Sequence, residues 1–187
     1  MSSIIVTGAN RGIGFQIAKT LAEQNNTVFA TCRDPSKAAE LKKLKNVHII
    51  ALDVASKDSV AKGIQEISKL APDGIDELWN NAGVNSNKGA PMDVDCESFL
   101  EQININGVGC SRVTQQAIKL LEKKKARRVI FVSSDMGTIS APPGSGDGFA
   151  YTTSKVAMST GAKYWHGHLS PKGYSVTCIV MNFTTSY

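Results

Sequence analysis

The sequence predicts an α/β chain, a three-layer doubly wound parallel sheet with helices on both faces. Short apolar, β-rich runs alternate with longer amphipathic stretches from end to end. The connectors are long enough to hold helices, as the crossovers between parallel strands require. No composition break, repeat or low-complexity stretch divides residues 1–187, so they are expected to form one domain.

The strands are expected at Ser3–Thr7, Thr27–Thr31, Val47–Leu52, Ile75–Trp79, Arg128–Ser133 and Tyr174–Val180. Helices are expected at 13–24, 36–44, 57–70, 96–122 and 151–169. In the long fourth helix Phe99, Ile103, Cys110, Val113, Ala117 and Leu121 fall roughly on one apolar face. Gly107 and Gly109 interrupt it at a cost of about 1 kcal/mol each. A close approach of that helix to the sheet or to a ligand would justify the cost.

Composition excludes several classes. A chain of 187 residues with 42% hydrophobic and 20% charged content is ordinary for a soluble globular protein. No apolar run is long enough to span a bilayer, and MSSIIVTG lacks the basic region and apolar core of a signal peptide. Cys32, Cys96, Cys110 and Cys178 form no CxxC pair and have no histidine at metal-ligand spacing. Four independent thiols, no metal and a reducing, cytoplasmic setting are expected. The net charge of +5 is concentrated in Lys42-Lys43-Leu44-Lys45 and in EKKKARR, Glu122 to Arg128. Both clusters lie near expected helix C-termini, where cations offset the helix dipole. No nucleic-acid motif accompanies them, so no nucleic-acid partner is expected.

The first strand runs into TGANRGIG, Thr7 to Gly14, just before an amphipathic helix. Glycines at 8, 12 and 14 permit a tight turn and a close backbone approach to an anion, which the helix N-terminus attracts. A glycine trio alone is weak evidence; its place between the first strand and first helix of a βαβ unit points to dinucleotide binding. No Gly-Lys-Ser/Thr follows, which excludes a phosphate-binding NTPase loop. Further on, Tyr151 and Lys155 stand four residues apart and share a helix face. Such a pair decorates many exposed helices. An ammonium about 6 Å from a phenol, at an effective dielectric of about 20, would favour phenolate by roughly 2.8 kcal/mol. That corresponds to roughly two pKa units of acidification.

Together TGANRGIG, Asn80-Asn81-Ala82-Gly83 and Tyr151-xxx-Lys155 resemble, in order, the TGxxxGxG, NNAG and YxxxK motifs of the short-chain dehydrogenase/reductase family. The resemblance runs from about Ser3 to Val180 and is strongest to C-factor-like and carbonyl-reductase-like members. It implies a Rossmann fold and an oxidoreductase that reduces an aldehyde, ketone or diketone, or oxidises an alcohol. It implies cofactor contacts from Gly8, Asn10, Arg11, Gly12, Ile13 and Gly14. Asp53 with Val54 matches the adenine position, and Asn80 the adenosine ribose, with Ala82 and Gly83 giving close approach. Arg33 ends the second strand where NAD enzymes carry a carboxylate, and with Arg11 could bracket a 2′-phosphate. NADP(H) is therefore the expected cofactor, although both arginines could be ordinary surface residues and Asp34 could pair with Arg33.

Ser134, in the SxxG run Ser134-Asp135-Met136-Gly137, matches the serine that orients the carbonyl. Tyr151 is the expected acid/base, and Lys155 its tuning charge and ribose holder. Asn104, three residues before Gly107, matches the family's NxxG asparagine; Asn106 is the competing assignment. Met92, Met136, Ile139 and Phe183 could form an apolar substrate wall, and the loop containing APPGSGDG could shape the entrance. The resemblance also implies a homodimer or homotetramer through the helices bearing Asn104 and Tyr151.

The sequence departs from the family after its sixth strand. Val180-Met181-Asn182-Phe183-Thr184 stands where a Pro-Gly pair and threonine are usual. Six strands are expected, without the customary seventh or the substrate-binding helices. The alternative function is a dinucleotide-binding sensor or interaction protein with impaired catalysis.

Overall fold

The computed structural model describes residues 1–86, 89–140 and 148–181. Six parallel strands form one sheet: β1 (Ser3–Thr7), β2 (Thr27–Cys32), β3 (Val47–Ala51), β4 (Glu77–Asn80), β5 (Arg128–Ser134) and β6 (Ser175–Met181). Their order is β3-β2-β1-β4-β5-β6. Ile5 of β1 lies opposite Phe29 on one side and Leu78 on the other. Winding thus reverses between β1 and β4, which leaves a crevice at the carboxyl ends of the strands.

Helix α1 (Gly12–Glu23) covers one face, burying Ala18 and Ala22 with Ile4, Val6, Val28 and Ala30 of the sheet. On the other face lie α2 (Lys57–Leu70), α3 (Cys96–Gln102), α4 (Gly109–Leu121) and α5 (Phe149–Leu169). That core joins Ile5, Phe29, Leu78 and Phe131 to Ile67, Val113 and Met158. Local chemistry sets the helix starts. Ser56 accepts a hydrogen bond from the Ser59 N–H to cap α2, and Asp95 accepts from Glu97 and Ser98 to cap α3.

Two expected helices differ in the structure. The stretch 36–44 holds only two short 3₁₀ turns, Pro35–Lys37 and Leu41–Lys43. Asp34 and Pro35 start the first turn, and only Ala38 and Leu41 are buried, too few anchors to hold a longer helix against solvent. The expected helix 96–122 is interrupted by a π-helical turn, Ile103–Val108, between α3 and α4. Gly107 and Gly109 sit there and just beyond it. A Cβ on Gly107 would lie 3.2 Å from Ala157 Cβ of α5, and one on Gly109 2.9 Å from Val54 Cγ2. Close packing against α5 and the loop after β3 accounts for both glycines.

Much of the basic cluster after α4 has structural work. Lys123 Nζ donates to the Pro72 carbonyl at 2.8 Å, Lys124 pairs with Asp76 and Arg128 with Glu77. Arg127 caps the end of α4 by donating to the Lys124 and Glu122 carbonyls. His48 stacks on Phe29, while His166 and His168 bond to groups at the end of α5 and on β6. All four cysteines are free. Among the described residues, no helix is long and apolar enough to cross a membrane, and β6 pairs with β5 alone.

Candidate active site and dinucleotide cleft

A cleft of about 680 Å³ opens along the carboxyl ends of the strands. One half is lined by the β1–α1 loop with Arg33 and Asp53, which follow β2 and β3. The other is lined by Ser134, Asp135 and Met136 at the end of β5, Met181 of β6, and Tyr151 and Lys155 of α5.

The glycine loop is built for close approach. Gly8 has φ +64°, and a Cβ there would meet Ala82 Cα at 2.8 Å. A Cβ on Gly14 would overlap the Gly8 carbonyl oxygen and Asn81 Nδ2. Among the described residues no side chain caps the first turn of α1, which leaves its N–H groups open to an anion at the positive end of the helix. Asn10, Arg11, Gly12 and Ile13 line the same half. Arg11 and Arg33 make no ion pair among the described residues; Asp34 instead accepts from Ser36 and faces Lys37 at 3.8 Å. Asp53 is held by its backbone N–H to Ser59 Oγ and its carboxylate to the Ala55 N–H. Arg112 of α4 donates to the Val54 carbonyl, fixing that loop from behind.

Tyr151, Ser134 and Lys155 come together in the other half. Lys155 Nζ lies 5.8 Å from the centre of the Tyr151 ring and donates to the Val132 carbonyl at 2.9 Å. Burial pulls the Lys155 pKa down to about 8, opposed by the nearby Cys110 and Cys178 thiols. Tyr151 departs from the acidity expected of it. Burial raises its pKa, the neighbouring Ser134 hydroxyl works against that rise, and the Asp135 carboxylate adds to it. The ammonium lies at this range from the ring, yet burial, which disfavours the charged phenolate, is the leading influence on the tyrosine. The phenol therefore stays protonated at neutral pH.

Ser134 Oγ donates to Asp135 Oδ1 at 2.8 Å and accepts from the Met136 N–H. Sequence reasoning passed over Asp135, although it stands inside the SxxG run.

The asparagines sort differently from expectation. Asn104 is turned to the loop after β3, donating to the Ala55 carbonyl at 3.5 Å and accepting from Arg112 at 3.0 Å. Asn106 is fully buried; it accepts from the Val84 N–H and donates to the Val84 carbonyl and Ser154 Oγ, each at 2.8 Å. A Cβ on Gly83 would meet Asn106 Oδ1 at 3.2 Å and Lys155 Nζ at 3.5 Å, so this asparagine, not Asn104, neighbours the lysine. Both satisfy NxxG, with Gly107 and Gly109 respectively, and sequence spacing could not choose between them. Replacing Asn106 with alanine is expected to cost about 2–3 kcal/mol, because the Val84 N–H and carbonyl and the buried Ser154 hydroxyl all lose a partner. Asn104→Ala should cost under about 1 kcal/mol, with urea denaturation separating the two.

Asn80 is likewise not at the cleft. Its side chain is buried and donates to Thr114 Oγ1 at 2.9 Å, tying β4 to α4. Asn81 lines the cleft instead, donating to the Thr7 carbonyl at 2.8 Å and bracing the glycine loop. Ala82 and Gly83 line it as expected. Of the apolar wall, Met136 reaches the cleft; Met92 and Ile139 are 94% and 89% exposed, leaving them in solvent. Phe183 and the loop 141–147 lie outside the described residues.

A reversing parallel sheet, an uncapped glycine-rich turn and a Ser–Tyr–Lys cluster at its carboxyl edge define an α/β protein of Rossmann type. The chain belongs to the short-chain dehydrogenase family, whose model matches residues 2–186. An uncharacterised oxidoreductase of Schizosaccharomyces pombe is 37% identical over 159 residues, 82% of this chain and 62% of that protein. The chain thus spans less than two thirds of that curated relative. The structure of Sniffer from Caenorhabditis elegans aligns over 100% of this chain and 87% of its own, with TM-score 0.90 and 29% identity. The NADPH-bound carbonyl reductase from chicken fatty liver aligns over 97% and 79%, with TM-score 0.88 and 26% identity.

Proposed function

We propose that the protein is an NADP(H)-dependent reductase of small carbonyl compounds, working in reverse as an alcohol dehydrogenase. The observation that carries this reading is the placement of Tyr151, Ser134 and Lys155 in one half of a cleft whose other half is an open helix N-terminus. The residues fit a dinucleotide. The Gly8 and Gly14 backbones form a cradle that a Cβ would fill, and the first turn of α1 offers unused N–H donors. Gly8 to Gly14 would hold the diphosphate, with Asp53 and Val54 at the adenine. Arg11 and Arg33, which have no carboxylate partner among the described residues, would take the 2′-phosphate.

When bound, the nicotinamide supplies the hydride. Tyr151 donates its proton to the carbonyl oxygen as charge develops there. Its raised pKa keeps the phenol loaded with that proton at neutral pH, which suits reduction. Ser134 orients the carbonyl and stabilises the developing oxyanion. Lys155, with a pKa of about 8, remains predominantly an ammonium at pH 7 and opposes the charge left on the tyrosine. Asn106, beside Lys155 and anchored to Val84, takes the positioning role assigned by motif to Asn104.

Oxidation of NADPH with a panel of aldehydes, ketones and diketones tests this reading; binding of NADPH without turnover of any of them supports the sensor alternative. Arg33→Ala is expected to weaken NADPH binding about 10- to 100-fold, the worth of a lost charge-assisted contact, while NADH changes less than about threefold. Equal losses for the two cofactors would reject the 2′-phosphate role. The four free thiols support a reducing, cytoplasmic setting. Self-association through α4 and α5, to a homodimer or homotetramer, is the assembly to test by light scattering.

A further inference from the structure

We propose that Asp135 is a specificity-determining residue that filters substrates by charge, admitting neutral or cationic carbonyl compounds and disfavouring those with a carboxylate beside the carbonyl. The inference rests on the reductase reading and names its substrate class.

Strand order separates the charges of the cleft. Arg11, Arg33 and Asp53 follow β1, β2 and β3, on one side of the winding reversal. Asp135 follows β5, on the other side, directly after Ser134 and beside Tyr151. A carbonyl held between Ser134 and Tyr151 would lie next to this carboxylate.

Among the described residues lining that half, the other charge is Lys155, and its ammonium is committed. It is 5% exposed and donates to the Val132 carbonyl beneath the site. Asp135 is exposed and has no cation partner among the described residues. Its Oδ1 is fixed by the Ser134 hydroxyl and the Met136 N–H, both at 2.8 Å. A charge held in place and uncompensated repels a like charge more effectively than one that can swing away.

The Ser134 hydroxyl proton is also directed at Asp135 rather than into the cleft. A substrate oxygen must compete with a carboxylate for that proton. A neutral carbonyl brings only its own lone pairs to the exchange, whereas an α-keto acid brings a second anion into repulsion with the first. A substrate bearing an ammonium group near the carbonyl would gain by the same geometry.

The test uses the full chain with NADPH and two substrates of similar shape, methyl phenylglyoxylate and phenylglyoxylate. The parent protein is expected to favour the neutral ester. Asp135→Asn keeps an oxygen acceptor for Ser134 and Met136 while removing the charge. It should raise the acid-to-ester ratio of kcat/KM about tenfold, as expected for like charges roughly 6 Å apart at an effective dielectric between about 20 and 80. Asp135→Glu should retain the parent preference. A ratio that moves less than about twofold in Asp135→Asn overturns the inference.

A measurement without chemistry keeps the two readings apart. Calorimetric titration with benzoate and benzamide should show the same tenfold relative gain for benzoate in Asp135→Asn. Absence of turnover with this gain present sinks the reductase and leaves the charge filter standing. An unchanged binding ratio, or binding of neither probe to either protein, sinks the filter.

Discussion

Tyr151→Phe is expected to lower kcat by about 10²- to 10⁴-fold, the usual range for losing a positioned general acid. The substitution removes one oxygen and keeps the ring. Tyr151 sits in the first turn of α5, only partly exposed, with Lys155 one turn on and bound to the Val132 carbonyl independently of the phenol. Ser134 also keeps its bond to Asp135. Fold and NADPH affinity should therefore stay close to parental values, so the loss falls on the chemical step. Circular dichroism, NADPH titration and turnover, measured on one preparation, separate these possibilities. A variant within about threefold of the parent rate would remove Tyr151 from the mechanism.

Gly14→Ala should destabilise the protein by about 3 kcal/mol, at the upper end of the usual cost of overpacking. The added methyl group would overlap the Gly8 carbonyl oxygen and Asn81 Nδ2. Neither gives easily. Gly8 is pinned against Ala82, and Asn81 is bonded to the Thr7 carbonyl, so the methyl group strikes backbone and a braced amide rather than a flexible side-chain end. Gly167→Ala is the control, because nothing lies within 4 Å of its Cβ position and its helix interior favours alanine by about 1 kcal/mol. Thermal or urea unfolding of the two variants should move in opposite directions. Comparable small effects would mean that α1 can slide away from the loop.

The alternation of apolar and amphipathic runs made the sheet legible, because a buried parallel strand has few other ways to be written. Strand starts shifted by at most two residues, as where Glu77 rather than Ile75 opens β4. The 36–44 stretch misled because its lysines and leucines have helical spacing, while only Ala38 and Leu41 find a surface to pack on. At the site, motif order placed Gly8, Arg33, Asp53, Ser134, Tyr151 and Lys155 around one cleft. It failed where two candidates shared one motif. Asn80 and Asn81 are adjacent, but β4 ends at Asn80, whose side chain reaches Thr114, while Asn81 just beyond it reaches the glycine loop. Asn104 and Asn106 both precede a glycine by three, and the π-helical turn that decides between them has no sequence mark. The protonation of Tyr151 was illegible for another reason: spacing gives the distance to Lys155 but not the solvent lost around the phenol.

The lysine under the tyrosine also links this site to the protein's tolerance of alkali. Lys155 falls from an ordinary value of 10.5 in the open chain to about 8 when folded, mainly through burial. Below pH 8 the fold bears the whole cost of enclosing that cation, on the order of 3 kcal/mol. Between about pH 8 and 10.5 the unfolded chain still holds a proton that the native protein has released, so unfolding takes up a proton and stability rises with pH. At neutral pH this residue therefore counts against the fold it sits in, and its charge there is explained by chemistry rather than by packing.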